Sequence, residues 1–332
     1  MNIRLLSAGI IAACLSACSP ETQQSISSSG INSATQKRYV AITAITEHPS
    51  LDAIRKGIID QLQSEGFEEW KNLKIDFQSA HGNTSTAIQI AKKFAGDNPD
   101  VIVPITTPSA QAVVAATQTI PVVYSGVTDP IGAKLVTSWA PSGTNVTGTS
   151  SQYPMAPGVA LMQEIVPKLK TIGYVYSPGE INSIAILKQL REETEKHGIK
   201  VIDVPAQTTA DVLAAARSLK GKVQLIYTGH DNNVVSAYPS MYKAATEMKI
   251  PLVAVDADSV QRGAVAAISE DDYSLGKDTG EMVARILRGE KPGAIASTRP
   301  KKFELYINPK HASAQGVTLP ESLKKRADKI LD

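Results

Sequence analysis

Cysteine is nearly absent from this chain, and where it stands matters as much as how little there is. The 2 cysteines are Cys14 and Cys18, both close to the start. A fold built from the remaining residues therefore has no disulfide and no thiolate metal site. Aromatic residues make up only 5 % of the chain, so a single ring near a cleft stands out. The apolar stretch Leu5–Leu15 is too short to span a bilayer. The net charge is +2 and the lysines and arginines are scattered. Without a basic stripe, nucleic acid is not an expected partner. Catalytic signatures are missing too: there is no G-x-S-x-G elbow, P-loop, H-E-x-x-H or G-x-G-x-x-G. The 5 histidines, His48, His81, His197, His230 and His311, include no pair at helical metal spacing. No metal, cofactor or catalytic set is expected.

What is present begins with a secretory pattern. Met1 to Cys18 carries one arginine, an apolar segment and then Leu15-Ser16-Ala17-Cys18. This layout predicts a signal peptide over 1–18, and its ending resembles the bacterial lipobox, after which Cys18 would be lipidated. Residues 19–36 are polar and rich in Ser and Gln, as in a flexible tether. The remaining stretch of about 295 residues is long enough for two lobes with separate cores.

The most informative stretch is 99–130. Val101-Ile102-Val103 and Pro121-Val122-Val123-Tyr124 are short continuous apolar runs, suited to parallel strands covered on both faces. The first runs into Thr106-Thr107-Pro108-Ser109, which has the chemistry of a helix start. The second runs into Ser125-Gly126-Val127-Thr128-Asp129-Pro130. Such loops either cap the next helix or bind a ligand, since open parallel sheets bind at the carboxyl ends of their strands. Free N–H groups at a helix start attract a carboxylate or phosphate.

Upstream, Tyr39–Ile45 and Leu73–Phe77 read as strands, with helices over 51–62 and 83–96. After a Gly/Ser/Thr-rich joint at 141–148 the βα rhythm resumes. Helices are predicted at 155–167, 183–197, 210–219, 234–248 and 273–289, and strands at 171–176, 199–204, 223–228, 251–255 and 302–307. The expected fold class is α/β, two doubly wound parallel-sheet lobes joined by a hinge. The expected lobes are 37–148 plus about 270–298, and 149–269 plus about 299–332.

The second half has acidic strand-end loops. Asp231 either caps the following helix or faces the hydroxyl loops across the cleft. Asp256 and Asp258 either close a turn or do the same. A site with an anion pole and a cation pole suits a zwitterionic amino acid. His48 and His230 stand at strand ends, either lining the cleft or exposed.

The sequence resembles the substrate-binding lipoproteins of ABC importers, and within them the tryptophan/tyrosine-type group with the type I periplasmic binding protein fold. The likeness runs from about Tyr39 to the end. It rests on Glu47-His48-Pro49 with Leu51-Asp52, Asn98-Pro99-Asp100-Val101-Ile102 and Thr107-Pro108-Ser109-Ala110-Gln111. Further matches are Val127-Thr128-Asp129-Pro130, Asn145-Val146-Thr147-Gly148, Gly179-Glu180 with Asn182-Ser183, Asp231-Asn232, Gly263-Ala264 and Ile307-Asn308-Pro309. The resemblance implies a ligand held between the lobes, with Thr107, Ser109, Ser125 and Thr128 on its carboxylate. It places Asp231, helped by Asn182 or Glu47, on the ammonium, and leaves open whether Glu47 or Asp256 faces the cleft. Tyr153 departs from the pattern, and either stacks on a ligand ring or packs at the hinge. The implied protein is not an enzyme. It is a monomeric, lipid-anchored binding protein at the extracytoplasmic face, taking an amino acid, aromatic by resemblance, to a permease and ATPase. An envelope ligand sensor is the alternative, with a cleft enzyme behind it.

Overall fold

A computed structural model describes residues 37–332; the expected signal segment, Cys18 and the tether lie outside the described residues. The apolar runs of the first part become β1 (Arg38–Ala44), β2 (Leu73–Ser79), β3 (Val101–Ile105), β4 (Val122–Val127) and β5 (Val146–Ser150). Helices α1 (Pro49–Ser64), α2 (Thr84–Asp97) and α3 (Thr107–Ala116) connect the first four. All pairings are parallel, in the order β2-β1-β3-β4-β5. The strands are apolar on both sides because both sides are covered. Val40, Ile42 and Val103 pack with Ile54 and Ile58 of α1, while Ala41 and Ile102 pack with Phe94 of α2 and Val113 of α3. The end of the stretch at 141–148, read from sequence as a joint, instead opens β5 at Val146. Its Thr and Gly resemble a loop, but glycine is needed there, since a Cβ on Gly148 would stand 2.1 Å from the Tyr124 carbonyl oxygen.

The second lobe begins with α4 (Met155–Ile165), β6 (Thr171–Tyr176), α5 (Ile181–Glu195), β7 (Lys200–Pro205) and α6 (Val212–Arg217). It continues through β8 (Leu225–Thr228), α7 (Asn232–Ser236), α8 (Tyr238–Met248), β9 (Leu252–Ala254), α9 (Ala257–Arg262) and β10 (Ala266–Ser269). The single helix predicted over 234–248 is two. Ala237 ends α7 because Pro239, which lacks an N–H, fits only in the first turn of a new helix. The short strand β10, Ala-Ala-Ile-Ser, carries no β-branched run and was not foreseen.

Helix α10 (Asp272–Leu287) returns to the first lobe and lies on α1. The two helices approach too closely for side chains at their crossing. A Cβ on Gly57 would stand 2.2 Å from the Tyr273 carbonyl oxygen, and one on Gly276 would stand 2.1 Å from that of Ile54. The chain then re-enters the second lobe as β11 (Glu304–Ile307), α11 (Pro309–Ala314), α12 (Glu321–Arg326) and β12 (Lys329–Ile330). This sheet runs β12-β11-β10-β9-β8-β6-β7. Coming back from the first lobe rather than through a crossover helix, β11 pairs antiparallel with β10. The described architecture is α/β with two lobes. Among the described residues, no helix is long and apolar enough to cross a membrane.

Candidate functional site

Loops at the carboxyl ends of strands in both sheets line one cavity. From the first lobe come His48 and Ser50 at the start of α1, Thr106 and Thr107 at the start of α3, and Gly126 and Thr128 from the end of β4. From the other side come Asn182, His230, Asn232, Asp256 and Glu270, with Asp272 at the first turn of α10. Leu51, Ile54 and Val235 give the cavity an apolar part.

The α3 end of the cavity is electropositive without a charged side chain. Its first-turn N–H groups have no helical acceptor and carry the positive end of the helix dipole. Thr106, buried, holds a φ of +74, a backbone conformation that β-branched residues rarely adopt. The hydroxyls of Thr106 and Thr107 are buried with no hydrogen-bond partner.

Opposite in character are three carboxyl groups. Asp256 caps α9, accepting from the Ser259 N–H and hydroxyl at 2.7 Å each. Glu270 is 5 % exposed, and neither of its carboxyl oxygens has a partner. Asp272 is partly buried. Burial, then the charges of Asp272 and Asp256, pushes the Glu270 carboxyl well above the usual range. Burial and the neighbouring Asp256 push Asp272 up to about 8. Burial also lowers His230, which is thereby neutral, with its Nδ1 unpartnered. The Asn182 amide is fixed by donating to the His230 carbonyl at 2.6 Å and to Glu180 at 2.9 Å, which leaves its Oδ1 buried and unpaired. Each buried polar atom without a partner costs about 1–3 kcal/mol. Such atoms gathered on one cavity wait for a polar guest.

One polar link crosses the cleft beside the cavity. His48 of the first lobe caps α1, its Nδ1 accepting from the Ser50 N–H at 3.3 Å. Its Nε2 lies 3.0 Å from Asp258 and 2.8 Å from the Arg262 guanidinium, both on α9 of the second lobe. Burial alone would raise the Asp258 carboxyl, but the hydrogen bond from His48 and the charge of Arg262 hold it below the usual carboxylate range.

Of the eight ligand residues expected from sequence, Thr107, Thr128, Asn182 and Asp256 line the cavity. Glu47, Ser109, Ser125 and Asp231 do not. The Glu47 side chain is 59 % exposed, 3.7 Å from His81. Ser109, two residues after Thr107 in α3, is fully buried. Ser125 is turned inward, where its hydroxyl joins those of Thr149 and Thr279 at 3.3 and 2.7 Å. Asp231 is fully buried and already satisfied. It accepts from Ser177 N–H and Oγ, Ser183 Oγ and the Val234 N–H, at 2.6, 2.8, 2.7 and 3.0 Å. Tyr153 packs edge-on to Phe303 at 5.9 Å in the second-lobe core, away from the cavity lining. Glu270 and Asp272 were missed. The signal for them was the same one that drew attention to Asp256, an acidic residue after a strand, but β10 itself was not recognised.

The sequence model for ABC transporter substrate binding proteins matches residues 39–331. A tyrosine-binding protein of Clostridioides difficile is 36 % identical over 308 residues, covering 92 % of this chain and 89 % of that protein. A Streptococcus pneumoniae ABC domain solved in complex with L-tryptophan superposes with a TM-score of 0.86 at 32 % identity, over 89 % of this chain and 100 % of the other. A ligand-free, open substrate-binding protein with adhesive properties from Clostridium difficile is 37 % identical, over 88 % of this chain and 98 % of its own. Its TM-score is nevertheless lower, 0.67.

Proposed function

The chain belongs to the ABC transporter substrate-binding protein family, and from that premise we propose that it captures an aromatic amino acid between its lobes and delivers it to a membrane permease. Members of this family bind a solute and do not transform it. The observation that carries the ligand class is the polarity of the cavity. An uncharged electropositive end at α3, with free hydroxyls on Thr106 and Thr107, suits a carboxylate. Asp256, Glu270 and Asp272 suit an ammonium, with the Asn182 Oδ1 as a further acceptor. Leu51, Ile54 and Val235 offer the apolar contact for a side chain, and Gly126 leaves room beside Ile54. No Phe, Tyr or Trp lines the cavity, so a ring would be held by aliphatic packing and beside the imidazoles of His48 and His230.

The tryptophan complex superposes better than the open, ligand-free relative, although the latter is the more identical, as a lobe arrangement nearer the closed one would produce. This supports hinge closure around the ligand, with the closed arrangement favoured by whatever binds both lobes. The N-terminal pattern supports a lipid anchor at Cys18 and an extracytoplasmic site of action. Calorimetric titration of residues 37–332 with tyrosine, tryptophan and phenylalanine tests the ligand class. Binding of at least one, with no binding of isoleucine or lysine, is the expected outcome. Exclusive binding of a solute lacking either charged group would overturn it.

A further inference from the structure

Three carboxyl groups line one wall of the cavity, and no lysine or arginine lines it with them. Partly or wholly buried carboxylates with no counter-charge cannot all be ionised together, because each raises the energy of the others in a medium that screens poorly. The surrounding cations do not relieve this. Arg262 is committed to His48, Asp258 and the Val235 carbonyl. On the α1 side, Arg55 pairs with Asp52 and Lys56 with Asp60, and Lys277 of α10 also faces Asp60. On its far side Glu270 borders a groove with Arg299, Lys301 and Lys302 alongside Asp271, Asp278 and Glu304. None of these reaches the Glu270 carboxyl oxygens, which have no partner. The other titratable groups near the wall add no positive charge. Asp258 and Asp271 are acidic, His230 is neutral, and the Tyr153 and Tyr227 phenols are un-ionised. Among the described residues, no three acidic or histidine side chains are grouped to hold a metal ion.

We infer that the wall formed by Asp256, Glu270 and Asp272 keeps a proton in the ligand-free protein and releases it to solvent as an ammonium group enters, so that solute capture is proton-linked. The inference rests on the amino acid reading of the cavity. The bookkeeping is simple: a cation replaces a proton as the counter-charge, and the displaced proton leaves to the buffer. Capture therefore strengthens as pH rises toward the range in which the wall would ionise unaided, and weakens in acid.

The experiment is calorimetry with L-tryptophan, L-tyrosine and L-phenylalanine at pH 7 in phosphate, HEPES and Tris, followed by affinity measurements from pH 6 to pH 8. The expected result is a measured enthalpy that changes with the ionisation enthalpy of the buffer, with a slope of about one proton released. Affinity then tightens by up to ~10-fold per pH unit, the limit for one linked proton. Glu270→Gln and Asp272→Asn, made separately so that one misfolded variant does not end the test, are each expected to reduce the slope and flatten the pH profile. Tight binding with no buffer dependence and a flat profile would overturn proton linkage while leaving the amino acid reading intact. No binding of any of the three ligands across the pH range would overturn that reading and the linkage with it.

Discussion

Asp231 and Glu270 are both carboxyl groups buried at the carboxyl ends of strands in the same sheet, one after β8 and one after β10. Asp231 receives four hydrogen bonds from its own lobe and caps α7. Glu270 receives none. The pair teaches how to tell a structural acid from a functional one. Burial and position after a strand are shared, and the difference lies in whether the protein itself has already supplied the donors. A carboxylate satisfied from within holds a loop in place. One left unsatisfied carries a penalty that only a ligand or a proton removes.

Breaking the first member of the pair gives the largest expected effect. Asp231→Ala leaves the Ser177 and Val234 N–H groups and two serine hydroxyls without their acceptor, and should lower unfolding stability by about 3 kcal/mol. Urea denaturation measures this. A stable variant that had lost only its ligand affinity would return Asp231 to the binding site.

The second member should behave in the reverse way. Glu270→Gln is expected to weaken amino acid binding by ~10-fold or more, about 1.5 kcal/mol, while leaving stability unchanged or higher, because a buried acid without donors is replaced by a neutral amide. The raised carboxyls also set a sign for pH. Asp272, at about 8 in the fold, lies above its ordinary value. Its protonated form therefore favours folding fully in acid, and that contribution is lost as pH rises through about 8. Melting temperature of the ligand-free protein should fall from pH 5 to pH 8 and fall less in Asp272→Asn. A rising curve would contradict the cluster.

The cross-cleft link is expected to be weaker. His48→Ala removes the Asp258 and Arg262 partner from the opposite lobe and should weaken ligand binding by about 1 kcal/mol through the closed state. Small-angle scattering with and without ligand should then show incomplete closure, and unchanged scattering would reduce His48 to a helix cap. At the bottom of the scale, Glu47→Ala should alter affinity and stability by less than ~0.5 kcal/mol, since the side chain stands in solvent. A large loss in that variant would mean that Glu47 swings into the cleft on binding.

Much of the scaffold was readable because its signals are local. Val101-Ile102-Val103 is a buried parallel strand, and Thr107-Pro108 starts a helix, wherever the rest of the chain lies. The strand-end loops led to Thr107, Thr128, Asn182 and Asp256 at the cavity. Where that reasoning failed, it failed for lack of local signal. β5 is built from Val-Thr-Gly-Thr-Ser, and β10 from Ala-Ala-Ile-Ser, so neither looks like a strand, and missing β10 hid Glu270. On paper Asp231 either capped a helix or faced the cleft, and Asp256 either closed a turn or faced the cleft. Both cap a helix, yet only Asp256 reaches the cavity.

The sequence by itself determined the alternation of strands and helices, the loops that could hold a ligand and the residue types those loops carry, because periodicity and helix-start chemistry act over a few residues. Only the tertiary structure decided which carboxyls were satisfied from within. That depends on Ser177 and Ser183, far from Asp231 in the chain, reaching its carboxylate, and on no donor reaching Glu270. Hydrogen-bond partnership at long sequence separation is set by how the elements pack, and no local pattern records it.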